Sequence, residues 1–152
     1  IAGVAGSKFK LSRLRARTQE SIRGSEPLAE NPVFMRKLAA AEVELKALEY
    51  TELRTLASVS SGKAPGPESS ILKIAGTELR QRIDTLVMEA AGYYALPYVR
   101  EQYDADFPQE NRIGADNETC SALSYFNDRK VSIFGGSNEI QKNIIAKHVL
   151  GL

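Results

Sequence analysis

The chain has 152 residues, 43% hydrophobic, 26% charged and 7% aromatic, with a formal net charge of +1, the composition of one soluble globular domain rather than a disordered or fibrous chain. One Cys and one His exclude an internal disulfide, a cysteine-rich metal cluster and a His-His metal site, so no metal is expected. No apolar run reaches the roughly 18 residues of a membrane span, and no signal peptide is visible at the start.

The pattern is helical almost throughout, with no convincing strand, internal repeat or low-complexity tract. The first segment, about 1–22, places Ile1, Val4, Leu11 and Leu14 near one face. Ala2, Gly3, Ala5, Gly6 and Ser7 are small, which lets another backbone or a flat ligand approach closely, at a cost in helix propensity. Lys8, Lys10, Arg13, Arg15, Arg17 and Arg23 stand against Glu20 alone, a local charge of +5. Such a helix holds phosphates, is solvated, or faces an anionic partner. No nucleic-acid reader motif accompanies the charge, and no nucleic acid is expected. The chain begins on Ile inside this helical pattern, the expectation for a fragment of a longer protein.

After a break at Gly24, Ser25 and Pro27, Asn31 is a good N-cap and Pro32 suits the first helical position. Phe34, Leu38, Ala41, Leu45, Leu48, Leu56 and Val59 then mark the buried face of a long amphipathic helix, which ends at Ser61-Gly62. Its acids Glu42, Glu44, Glu49 and Glu52 read as a solvated face or an interface rim. They lack the spacing of di-iron bundle ligands. Lys63-Ala64-Pro65-Gly66-Pro67 is a stiff connection. The third helix follows, with Leu72, Ala75, Leu79, Ile83, Leu86 and Ala90 at steps of three and four. Two long helices joined by a short turn lie antiparallel.

From Tyr93 to about Asn117 the periodicity vanishes, and residues 95–118 carry a local charge of −4. Loops this long tend to be functional or partner-bound. Tyr93, Tyr94 and Tyr98 either line a pocket or pack the loop onto the bundle. A short helix, about 119–130, precedes Phe134-Gly135-Gly136-Ser137-Asn138, and a last helix runs to about His148. Cys120 reads as a small packed residue rather than a nucleophile, and His148 as a partner for a helix C-terminus rather than a ligand. The expected fold is all-α, an up-down bundle of four to five helices.

The stretch from Ser132 to Gln141 is the most informative. Two glycines meet the start of a helix, where first-turn N–H groups lack intrahelical partners and can hold phosphate or another electron-rich group. Ser137 or Asn138 either caps the helix or reaches a ligand. Gly-Gly-Ser-Asn is equally an ordinary turn and N-cap.

Residues 133–147, Ile-Phe-Gly-Gly-Ser-Asn-Glu-Ile-Gln-Lys-Asn-Ile-Ile-Ala-Lys, resemble the C-terminal signature of acyl-CoA dehydrogenases. That signature reads aromatic, Glu or Gly, Gly, Thr or Ser, two polar residues, Ile-Gln-Arg, then an apolar helix. The ending His148 to Leu152 and the helix start Pro67 to Lys73 also resemble that family. The resemblance implies that residues 1–152 are the C-terminal helical bundle, without the N-terminal helical and middle β-domains of full-length members. It implies an FAD-dependent enzyme oxidising an acyl-CoA thioester to the 2,3-enoyl-CoA, with electrons passed to electron-transfer flavoprotein. The isolated domain is expected to be inactive. Homo-oligomers or a heteromeric dehydrogenase are implied, and a cytoplasmic location in bacteria, preferred over the mitochondrial matrix of eukaryotes. Gly136 matches a position close to the substrate, and Ser137, Asn138 and Glu139 match positions contacting FAD. Gly135 occupies the usual place of the catalytic Glu and cannot be the base. Glu139 does not replace it. In some branches the base lies near the start of the first bundle helix, here upstream of Ile1. The catalytic residue is therefore unknown within this chain. A catalytically silent subunit, a helical assembly module and an acyl-CoA oxidase are the alternatives. The family's Arg-x-x-Phe-Gly element is not recognisable near Arg17 or Arg23. Its Gln-x-x-Gly-Gly element is eroded around Met88, Ala91 and Gly92.

Overall fold

Helix α1 runs from Val4 to Glu20, α2 from Pro32 to Ser60, α3 from Glu68 to Ala91, α4 from Ser121 to Asn127 and α5 from Asn138 to Ile145. The computed structural model describes residues 2–20, 26–99, 101, 104, 106–108, 110, 114 and 121–151, with the backbone alone at 22 and 23. Strands β1 (Ile22–Arg23) and β2 (Glu26–Pro27) pair antiparallel between α1 and α2, with Ile22 opposite Pro27. Strands of two residues are too short to show the alternation by which a strand is read. Apart from this small hairpin, the fold is the all-α bundle that the periodicity predicts.

The helix ends follow from their chemistry. Asn31 Oδ1 accepts from the N–H groups of Val33 and Phe34, each at 3.0 Å, and Pro32 takes the first helical position. Gly62, at φ +86°, lies just beyond α2. Gly92 ends α3, its N–H returning to the Met88 carbonyl.

Phe34, Leu38, Ala41, Leu45 and Leu48 of α2 meet Leu72, Leu79, Ile83 and Leu86 of α3, with Leu11 and Leu14 of α1, in one apolar core. Each such side chain contributes about 1.5–3 kcal/mol on full burial. Two details differ from expectation. The buried face of α2 stops at Leu48, and Leu53, Leu56 and Val59 are exposed. The reason is length: α2 has 29 residues against 17 in α1. The Ala2 N–H, at the start of α1, reaches only as far as Glu52. On α3, Gly76 rather than Ala75 takes the buried position, because the Ala2 backbone lies directly on it.

The acids of α2 are not merely solvated. Glu49 pairs with Lys8, and Glu42 takes both ends of the Arg15 guanidinium at 2.6 and 2.5 Å. Glu44 pairs with Arg82. The basic face of α1 therefore meets an anionic partner inside the same chain. These pairs are exposed, so each contributes about 0–1 kcal/mol.

Tyr93, Tyr94 and Tyr98 are all exposed, Tyr93 at 88%. Tyr98 meets Phe126 of α4 edge-on at 6.0 Å, a contact between the segment after α3 and the bundle. Eleven of the 25 residues of the expected 93–117 loop, and Cys120, lie outside the described residues. The expected helix at 119–130 is described from Ser121 and tightens to a 3-10 turn over Asp128–Ser132. Among the described residues no helix is long and apolar enough to cross a membrane.

A Cβ on Gly76 would overlap the Ala2 carbonyl and lie 2.9 Å from Ala2 Cα, both fixed backbone atoms. Gly76→Ala is therefore expected to destabilise the bundle by about 1–3 kcal/mol. Gly6→Ala, whose Cβ meets nothing within 4 Å, should be neutral or stabilising. Urea unfolding of the two variants separates them. A Gly76→Ala variant as stable as the parent would refute the close approach.

Candidate functional site

Helix α3 carries a polar stripe beside its apolar one. Lys73, Thr77, Arg80, Gln81 and Asp84 fall at helical spacing on one side, and that side faces residues 128–138. Its lower end is a buried charge cluster. Asp128, 2% exposed, accepts a two-pronged bond from Arg80, Nε at 2.7 Å and Nη2 at 2.6 Å. Lys10 of α1 donates to Asp128 at 2.9 Å and to Asp84 Oδ1 at 2.5 Å. Gln81 Nε2 donates to the carbonyls of Asp128 and Arg129. The 3-10 turn before the glycines is thereby held to α3.

The two carboxyl groups are driven apart. Burial, and next the neighbouring Asp128, push Asp84 from 3.8 up to about 6 against the pull of Lys10. Burial acts upward on Asp128 too, but the hydrogen bonds from Arg80, Asp84 and Lys10 outweigh it and hold Asp128 below the ordinary carboxylate range. Asp84 Oδ2 is buried and accepts no hydrogen bond. Protonated, it donates to Asp128 instead, which removes the unsatisfied acceptor.

The upper end of the stripe holds the glycine turn. Lys73 Nζ donates to the Ser132 carbonyl at 3.0 Å and to Asn138 Oδ1 at 2.7 Å. Gly135 and Gly136 lie between, at φ +66° and +87°, a region that favours glycine. Both are exposed. A Cβ on Gly135 would meet nothing within 4 Å, so the backbone is open there, whereas one on Gly136 would lie 2.7 Å from Gln141 Nε2, the end of a flexible side chain. Gln141 curls back from α5 and donates to the Gly135 carbonyl at 3.1 Å. Ser137 caps α5, its hydroxyl accepting from the Ile140 N–H.

The sequence-predicted residues thus sit together at one helix start, but not in equal roles. Gly135, Gly136 and Glu139 are exposed, and Ser137 is half-buried. Asn138 is 7% exposed, with its side chain turned inward to Lys73. The Glu139 carboxyl is held low by its own backbone N–H and then by the Ser137 hydroxyl. It is a settled anion at a helix N-terminus, not a group poised to take protons. His148 is exposed in a single π turn, Ala146–Leu150. Sequence reasoning missed Lys10, Lys73, Arg80, Gln81, Asp84 and Asp128. The signal for Lys73, Arg80, Gln81 and Asp84 was the second, polar periodicity in α3, and Lys10 and Asp128 meet it from distant parts of the chain.

The family described as "Acyl-CoA dehydrogenase, C-terminal domain" matches residues 2–150. The chain belongs to that family. It is 28% identical over 124 residues to the acyl-CoA dehydrogenase IpdE1 of Mycobacterium tuberculosis, covering 82% of this chain and 28% of that protein. The IpdE1 of Mycolicibacterium smegmatis is 27% identical over the same length, 26% of it covered. The chain thus spans under a third of the curated relatives it matches. Among solved structures, the ChsE4-ChsE5 complex from Mycobacterium tuberculosis superposes at a TM-score of 0.76 and 24% identity, covering 100% of this chain and 37% of that one. The FAD complex of PigA gives 0.76 at 17% identity, covering 98% of this chain and 34% of that one. Butyryl-CoA dehydrogenase from Megasphaera elsdenii gives 0.72 at 17%, covering 98% and 33%. These likenesses show the fold. The all-α bundle is what the helical pattern predicted, and the family is the one that residues 133–147 resemble.

The raised Asp84 gives this acyl-CoA dehydrogenase domain a defined pH response. The folded state holds the Asp84 proton more tightly, so this group's contribution falls as pH rises from about 4 to about 6 and is level above, a change of about 3 kcal/mol. Asp84→Asn, neutral throughout, is expected to exceed the parent in stability by about 1–3 kcal/mol at pH 8 and to match it at pH 4. Urea unfolding at the two pH values checks this. An equal loss at both would mean that the native cluster needs the charged Asp84.

Proposed function

We propose that this chain is the FAD-binding and oligomerisation domain of an acyl-CoA dehydrogenase, whose full-length form catalyses α,β-dehydrogenation of an acyl-CoA thioester. One observation carries the reading. A family match over residues 2–150 coincides with a Gly135-Gly136 turn of open, exposed backbone at a helix start.

The residues fit the cofactor. No side chain of the turn's glycines blocks a flat ring, and the first-turn N–H groups of α5 point to an electron-rich partner. Gly136 presents its backbone to the substrate. Ser137 and Glu139, with Asn138 through its backbone, meet FAD. When bound, FAD supplies the acceptor for the hydride leaving the β-carbon. Turn N–H groups aimed at the thioester oxygen stabilise the negative charge that develops as the α-proton departs. Position 135 is Gly and the Glu139 carboxyl is a settled anion, so neither takes the proton, and the reading assigns no base within residues 1–152. Electron-transfer flavoprotein then takes the electrons, in a bacterial cytoplasm.

Assembly rests on a separate feature. Leu53, Leu56 and Val59, near the C-terminal end of α2, are exposed, and a largely apolar groove of about 350 Å³ between α2 and α3 is lined by Ala47, Leu48, Thr51 and Ile71, with Glu44 and Arg82 beside them. A second bundle of the same family covers this face, and a heteromeric arrangement has its parallel in the ChsE4-ChsE5 complex. Gly135 favours a second reading, a catalytically silent subunit of such a heteromer.

The full-length protein is expected to contain stoichiometric FAD that an acyl-CoA bleaches. Flavin that no acyl-CoA bleaches would decide for the silent subunit, and absence of flavin would overturn both. Sedimentation should show a dimer or larger. Leu53→Glu with Leu56→Glu should shift it toward monomer while leaving the buried core intact. A parent that sediments as a monomer at high concentration would remove the assembly role.

A further inference from the structure

The Gly135-Gly136 turn is exposed, and among the described residues only Gln141 reaches it from its own side, donating to the Gly135 carbonyl. Ile133, Phe134, Gly135 and Gly136 are all exposed. Exposed backbone at positive φ has many alternatives, and such a turn keeps one shape only if its ends are fixed. Both ends are fixed from one atom. Lys73 Nζ bonds the Ser132 carbonyl, just before the turn, and Asn138 Oδ1, just after it. Thr77, one helical turn along α3, adds a longer bond of 3.3 Å to the same Asn138 oxygen.

Lys73 also differs from the other cations of the stripe. Lys10 and Arg80 end on carboxylates, whereas Lys73 ends on two neutral acceptors, and no ion pair neutralises it among the described residues. Its charge lies beside the turn, half-buried, where screening by water is weaker than on an open surface, and it helps to hold the Glu139 carboxyl low. A lysine needed only for packing would not require two acceptors on opposite sides of an otherwise loose segment.

We infer that Lys73 is a positioning residue: acting through Ser132 and Asn138, it sets the shape of the Gly135-Gly136 turn, and hence affinity for FAD. The second half of this statement rests on the function proposed above. The first half does not. It also reassigns the Asn138 side chain from cofactor contact to anchor.

The test uses the full-length flavoprotein with Lys73→Met, which keeps the stem and removes the donors, and Lys73→Arg, which keeps charge and donors. Deuterium exchange is read over residues 133–141 and, as an internal control, over the α2 core at 38–48. The FAD dissociation constant is read by flavin fluorescence. Lys73→Met should speed exchange over 133–141 with the α2 core unchanged, and weaken FAD binding about tenfold or more, the loss of charged hydrogen bonds. Lys73→Arg should recover part of both. Unchanged exchange over 133–141 would overturn the anchor. Faster exchange with unaltered FAD affinity would keep the anchor and overturn the placement of FAD at this turn. Acceleration equal in the α2 core would mean a merely structural lysine. If Lys73→Met does not fold, Asn138→Ala keeps the cation, removes its side-chain acceptor and carries the same two readouts.

Discussion

The grip of Arg80 and Lys10 on Asp128 is the constraint on which the rest of the arrangement depends. One buried carboxylate joins α1, α3 and the segment that leads into the glycine turn. A cluster of this kind is a poor source of net stability, because desolvating the charges offsets most of their attraction. Its value is geometric. A guanidinium fork meets a carboxylate in one orientation, so Arg80 sets the rotation and height of the 3-10 turn on α3. Lys10 makes α1 part of the same decision. An apolar contact in that place would tolerate a slide along the helix, and this one does not.

Helix α3 divides its surface between two tasks. Leu72, Leu79, Ile83 and Leu86 bind it to α1 and α2. Lys73, Thr77, Arg80 and Gln81 bind it to the segment from Asp128 to Asn138. The first set supplies burial and the second supplies direction. The glycine turn can therefore remain exposed and open while its position is inherited from the most buried helix in the bundle.

Much of this was legible from residue order. The Asn31-Pro32 start, the Gly62 stop and most of the apolar steps of α2 and α3 depend on neighbours within a turn, and they stand where expected. Leu56 and Val59 misled because periodicity reports which face is apolar, not how far a neighbouring helix extends along it. Ala75 and Gly76 were exchanged because the close passage of Ala2 is a contact across more than 70 residues of chain. The charge cluster was hidden for the same reason: Lys10 meets Asp84 and Asp128 across separations of 74 and 118. Read singly, each of those residues looks like surface. The glycine turn was found, but the inward turn of Asn138 was not, because an N-terminal Asn has two plausible directions and only α3 selects between them.

The seat of Ala2 on Gly76 has a further consequence. Gly76 adjoins Thr77 and lies about one helical turn from Lys73, a distance of about 4.5 Å along the axis. The beginning of α1 and the beginning of α5 are therefore clasped at the same level of one helix, although they stand at opposite ends of the amino-acid order. One turn of α3 thus carries two separate contacts, Ala2 on Gly76 and Asn138 on Lys73 and Thr77, so a shift of that turn is felt at the start of both α1 and α5.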